Sequence, residues 1–237
     1  MEFTGINSDS KGPKYIKALL DRSGSMIIKG LSKALIEGVN TLISEQKNTS
    51  ELYGTNPIVD IYTFDVTVEH IRSSSIKDIN EVKHEEVYPR GSTALNDSIG
   101  RVLEDSKDQN DVLFFIFTDG AENSSKKFTG KIGQEKIKDM MKDYTDNRNW
   151  TVIFGAANID AVQTGKNYGI SANNAFDVLP EAKSISGILR AVSSQVTNSA
   201  RSGDDIDFDV IRQSTKVNDD KILTPPSSVL RAFNSNI

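Results

Sequence analysis

Six consecutive apolar residues, Val112-Leu-Phe-Phe-Ile-Phe117, followed at once by Thr118-Asp119-Gly120, constrain this chain more than any other feature. The run is too short for a buried helix and does not alternate, so it reads as a strand covered on both faces. Tyr15–Leu20, Ile58–Phe64, Trp150–Phe154 and Ala175–Leu179 read as further strands. Between them lie apolar stripes at helical spacing. Ile28, Leu31, Leu35, Val39 and Leu42 mark a helix from about Met26 to Gln46. Leu95, Ile99, Val102 and Leu103 mark a second, and Ile137, Met140, Met141 and Tyr144 a third. A short helix is expected over Ala161–Tyr168, and a closing one through Ile185, Ile188, Leu189, Val192 and Val196. Val66–Ile71 follows the second strand after a very short break and reads as its hairpin partner at a sheet edge. Strands alternating with helices predict an α/β fold, a doubly wound and mostly parallel sheet with helices on both faces.

The 237 residues suffice for one large domain. Residues 1–13 read as a lead-in, 14–200 as the folded domain, and 201–237 as an acidic tail, mobile or docked. In that tail the alternation of Ile206, Phe208 and Val210 leaves room for an added strand. Lys17 is the discordant residue of the first strand, its head expected to snorkel from one end. The net charge of −5 argues against a nucleic-acid partner bound by broad phosphate neutralisation. No apolar run approaches the roughly 20 residues of a membrane span. Neither a basic start nor an apolar stretch marks the N-terminus as a signal peptide, and the cytoplasm is the expected location. The sequence has no cysteine, so disulfides, thiolate metal sites and cysteine nucleophiles are excluded. With only His70 and His84 besides, both read as surface or edge residues, any metal must be held by oxygen.

Three motifs fall at strand ends or helix starts: Asp21-Arg-Ser-Gly-Ser25, Gly91-Ser-Thr-Ala-Leu95 and Thr118-Asp-Gly120. Loops at the carboxyl ends of central strands converge where the strand order of a doubly wound sheet reverses. If the strands bearing Asp21 and Asp119 are neighbours there, two carboxylates share one crevice, an arrangement that needs a proton or a bridging cation. Ser23, Ser25 and Thr93 add neutral hydroxyls. Such hard donors suit Mg²⁺, Mn²⁺ or Ca²⁺. Hydroxyl ligands leave the ion strongly electrophilic and receptive to an outside carboxylate.

In order and spacing, these motifs resemble the metal-ion-dependent adhesion site of von Willebrand factor type A domains, and the likeness covers about Lys14–Ser199. The resemblance implies a six-stranded sheet with one antiparallel edge strand. It implies that Ser23, Ser25 and Thr93 bind the metal directly, that Asp21 and Asp119 bind directly or through water, and that an Asp or Glu of a partner protein completes the shell. Ile27, Ile28 and Lys29 stand where integrin β chains carry acidic residues for an adjacent site, so one metal is expected. Without disulfides, the chain is similar to stand-alone intracellular members from bacteria and their viruses.

The function expected is therefore a non-enzymatic, metal-dependent protein-binding module. One alternative is a metal-dependent phosphohydrolase with Asp21 as nucleophile, although Ser23 stands where such enzymes need a second Asp. The other is self-assembly, with the tail acids Asp204–Asp209 serving a neighbouring copy's metal. Arg22 is expected to point away from the ligands, as a surface charge or a contact for an acidic partner. Asp65 reads as a hairpin-turn residue, with the crevice rim as the other reading. Glu122 and Asn123 are either ligand contacts or a polar loop. Tyr88 and Trp150 read as core. Gly165-Lys166 lacks the flanking residues of a phosphate loop.

Overall fold

The computed structural model describes residues 12–179 and 182–215. In chain order the elements are β1 (Tyr15–Asp21), α1 (Leu31–Tyr53), β2 (Ile58–Phe64), β3 (Val68–Ser75), α2 (Leu95–Asp105), β4 (Val112–Thr118), α3 (Gly130–Asn147), β5 (Trp150–Ala156), α4 (Ala161–Asn167), β6 (Ala175–Asp177), α5 (Ala182–Ser202) and α6 (Phe208–Thr215). Short 3-10 turns cover Gly24–Gly30, His84–Val87 and Ala172–Asn174.

The six strands lie in the order β3-β2-β1-β4-β5-β6. All neighbours pair in parallel except β2 with β3, the antiparallel hairpin at the edge. This is the mostly parallel sheet that the alternation predicts. β4, at the centre, is buried at every position, because its unbroken apolar run faces helices on both sides. Ile16, Ala18 and Leu20 of β1 face one core with α1, α5 and α6, and Leu19 faces the other with α2, α3 and α4. At Gly38 of α1 a Cβ would come within 2.4 Å of the Leu189 side chain of α5, so a larger residue there would have to push Leu189 aside.

Several expectations need correction. The first helix does not run from Met26. A 3-10 turn occupies Gly24–Gly30, and Gly30, at φ 71°, turns the chain before α1 begins and runs on to Tyr53. Of the last strand only Ala175–Asp177 pairs with β5. Lys17 does not snorkel. It is 1% exposed, and its Nζ lies 2.5 Å from Asp60 on the neighbouring strand. Tyr88 is 58% exposed rather than core, whereas Trp150 is buried against Tyr144 and Phe114. His84 is exposed, and His70 sits on the edge strand, stacked on Tyr62 and bonded to Asp60.

The segment with room for a strand forms a helix instead. Asp207 accepts the N–H groups of Asp209 and Val210 at the start of α6, and Ile211 inserts beside α5. The chain from Ser202 to Asp207 starts at the end of α5 that lies beside Gly12, before β1. Its acids thus lie across the molecule from Asp21, at the far end of β1. Residues 216–237 lie outside the described residues. Among the described residues no helix is long and apolar enough to cross a membrane.

Candidate metal centre

The strand order reverses between β1 and β4: from β1 the chain steps outward to β2 and β3, then returns to β4 on the other side. Leu20 pairs with Phe117, which puts Asp21 and Thr118 level at the carboxyl ends of two adjacent parallel strands. Side chains there converge on one crevice, as is usual at such a switch point.

Asp21 is fully buried. One of its carboxylate oxygens accepts the Ser23 N–H at 2.6 Å and the other the Thr118 hydroxyl at 2.6 Å. Ser23 Oγ lies 3.1 Å from Ser25 Oγ, and Ser25 Oγ donates to Asp119 Oδ1 at 2.6 Å. A Cβ placed on Gly120 would meet Thr93 Oγ1 at 3.3 Å and Ser25 Oγ at 3.7 Å. All five sequence-derived residues therefore meet in one place, although they span nearly a hundred positions of chain.

Burial pushes the Asp21 carboxyl up to about 6, against the hydrogen bonds from Thr118 and Ser23, and the neighbouring Asp119 charge adds to the rise. Burial raises Asp119 as well. Its Oδ2 atom is buried and has no hydrogen-bond partner among the described residues. Neither carboxylate forms an ion pair there. Among the described residues no three acidic or histidine side chains are placed to hold a metal ion together, so a cation at this site would depend on hydroxyls beside the two acids.

Around the crevice the structure separates supporting residues from free ones. Glu122 is engaged within its own loop. Its two oxygens accept the N–H groups of Ser124, Ser125 and Asn96 and the hydroxyl of Ser125, which anchors the loop to the start of α2. The Asn123 side chain accepts the Thr93 N–H, and its own N–H donates to the Thr93 carbonyl. Arg22, expected at the surface, is only 4% exposed. It points away from the crevice but into an ionic cluster with Asp65 and Glu69. Asp65 is the hairpin-turn residue, with Oδ1 on the Thr67 N–H, and is also the buried hub of that cluster. Burial works to raise the Asp65 carboxyl. The bonds from Arg90 and Thr67 and the Arg22 charge outweigh it and hold the group below its ordinary value.

Comparison with solved structures decides the fold. The von Willebrand factor type A structure from Catenulispora acidiphila superimposes with a TM-score of 0.54 at 11% identity, covering 81% of this chain and 51% of that one. This chain has the von Willebrand factor type A fold. The same type A fold is similar to the pilus adhesin SpaC from Lactobacillus rhamnosus GG, with a TM-score of 0.61, 11% identity, and coverage of 78% of this chain and 31% of SpaC. It is similar, too, to proximal thread matrix protein 1 from the mussel byssus in a form with a zinc-occupied adhesion motif, with a TM-score of 0.53, 17% identity, and coverage of 78% and 48%. The chain thus spans from 31% to 51% of the length of these structures. No protein-family model and no curated protein matches the sequence.

Proposed function

We propose that this type A domain is a divalent-metal-dependent protein-binding module, not an enzyme. Ser23, Ser25 and Thr93 would hold the ion with their hydroxyls, and Asp21 and Asp119 would bind it directly or through water. The donor set is hard oxygen throughout, which fits Mg²⁺, Mn²⁺ or Ca²⁺. The bound ion supplies a positive charge able to accept an Asp or Glu carboxylate from a partner protein.

One observation carries this reading. Two buried carboxylates face one crevice at the switch point, and among the described residues neither has an ion pair and one oxygen of Asp119 has no partner. Burying such charge uncompensated is costly, so the fold supports a cation here. The structurally similar proteins support the reading further, since one is a pilus adhesin and another carries zinc in its own adhesion motif. Phosphohydrolysis gains no such support: both oxygens of Asp21 are engaged by Ser23 and Thr118, which leaves a poor nucleophile.

Selection of a displayed random-peptide library against the immobilised protein tests the reading. With Mg²⁺ present, peptides containing Asp or Glu should be enriched, and binding should vanish with EDTA or on changing that acid to its amide. Enriched peptides that bind equally in EDTA would contradict it.

A further inference from the structure

Arg22 lies between two candidate ligands, and all of its polar groups are engaged. The guanidinium reaches Asp65 Oδ2 at 3.1 Å, Glu69 Oε1 at 2.5 Å, Glu69 Oε2 at 3.2 Å and the Glu86 carbonyl at 3.3 Å. The backbone is held as firmly. The Arg22 N–H donates to the Phe64 carbonyl at 2.8 Å, and the Arg22 carbonyl accepts from the Arg90 N–H at 2.7 Å. Arg90 returns to the same cluster, with Nε 2.7 Å from Asp65 Oδ2 and NH2 3.0 Å from Glu69.

Backbone bonds tie this cluster to both motifs of the crevice that precede β4, Asp21–Ser25 and Gly91–Leu95. Gly24 N–H donates to the Gly91 carbonyl at 3.1 Å, and Ala94 N–H donates to the Asp65 carbonyl at 2.7 Å. Thr93 is therefore held between one tie at Gly91 and another at Ala94. Asp21 and Ser23 flank the anchored residue. A surface charge would need no such enclosure, and a residue present only to fill space would not need four guanidinium hydrogen bonds matched to two carboxylates and a carbonyl.

Resting on the metal reading above, we propose that Arg22 is a positioning residue: clamped to Asp65 and Glu69, it fixes the spacing between the Asp21–Ser25 loop and Thr93 that a bound ion requires. It touches no ion itself. Loss of a group that orients metal ligands typically weakens metal affinity by about 10- to 100-fold.

The test is Mn²⁺ titration calorimetry on wild type, Arg22→Met, Arg22→Lys and Glu69→Gln, each held well below the melting temperature measured in EDTA. Arg22→Met should bind Mn²⁺ about tenfold or more weakly, and Arg22→Lys should recover part of the loss because one ammonium can engage only part of the cluster. A merely structural role would lower the melting temperature in EDTA and leave the Mn²⁺ affinity of the folded variant at the wild-type value, and that result overturns the proposal. Should Arg22→Met fail to fold, Glu69→Gln decides, since Glu69 is half exposed and its loss leaves the Arg22–Asp65 contact in place. Unchanged Mn²⁺ affinity there counts against the clamp, and a weakened affinity supports it. A wild type that binds no Mn²⁺ removes the metal reading itself, a failure distinct from wild-type binding with indifferent variants.

Discussion

Two sets of buried charge lie on the same strands of this sheet. In mid-strand, Lys17 of β1 and Asp60 of β2 stand level, 2.5 Å apart, with His70 of the edge strand on the second Asp60 oxygen. Four residues further along β1, Asp21 is just as buried and meets a second acid, Asp119, with hydroxyls and N–H groups around both and no counter-charge among the described residues. The first set is complete within the chain. The second is the set that the proposed metal ion would complete. The contrast separates a structural ion pair from the proposed metal site, and the two lie within a few residues of each other on one strand.

The largest effect expected from disturbing this contrast is on the complete set. Lys17→Met leaves Asp60 buried beside His70 alone and should cost about 3–5 kcal/mol of stability, read by denaturant unfolding. Asp21→Asn should behave in the opposite way. It removes a buried charge that lacks a counter-ion, so stability in EDTA should hold or rise, while Mn²⁺ affinity drops by about 100-fold or more. A large loss of stability in EDTA would mean that Asp21, too, has its partner within the chain.

The pH dependence is expected to be intermediate in size. The Asp21 carboxyl sits at about 6 in the metal-free fold, against 3.8 for its ordinary value. Between those values the native state holds the proton more tightly than the unfolded chain. Metal-free stability should therefore fall as pH rises from about 4 to about 6 and level off above, a slope that Asp21→Asn removes. Metal binding should run the other way, with protons competing and affinity weakening by about tenfold per pH unit below about 6. The smallest effect belongs to Glu122→Gln. It weakens the anchor at the start of α2 and should lower stability by about 1 kcal/mol without changing Mn²⁺ affinity.

The strands and their order of occurrence were legible because a parallel sheet writes itself as unbroken apolar runs, with Val112–Phe117 the clearest. The five crevice residues were legible because three short motifs each fell at a strand end or helix start. What escaped the sequence depended on contacts between distant segments. Arg22 was expected to point away from the ligands and does. That the β2–β3 hairpin and the 84–90 segment would enclose it follows from partners 43 to 64 residues away, which no local pattern shows. Lys17 does carry a sequence signal for its partner: it is the third residue of its strand, and Asp60 is the third of the next, so parallel pairing brings the two discordant charges level. The 206–210 alternation was too short to separate strand from helix, and the capping bonds of Asp207 decide it.

The central claim is tested most directly by anomalous diffraction from crystals grown in Mn²⁺ near pH 7.5. A single manganese peak is expected in the crevice, within about 2.0–2.6 Å of the Ser23 and Ser25 hydroxyls and next to Asp21 and Asp119. A crevice without a peak at saturating Mn²⁺, or manganese bound only elsewhere, would contradict the account.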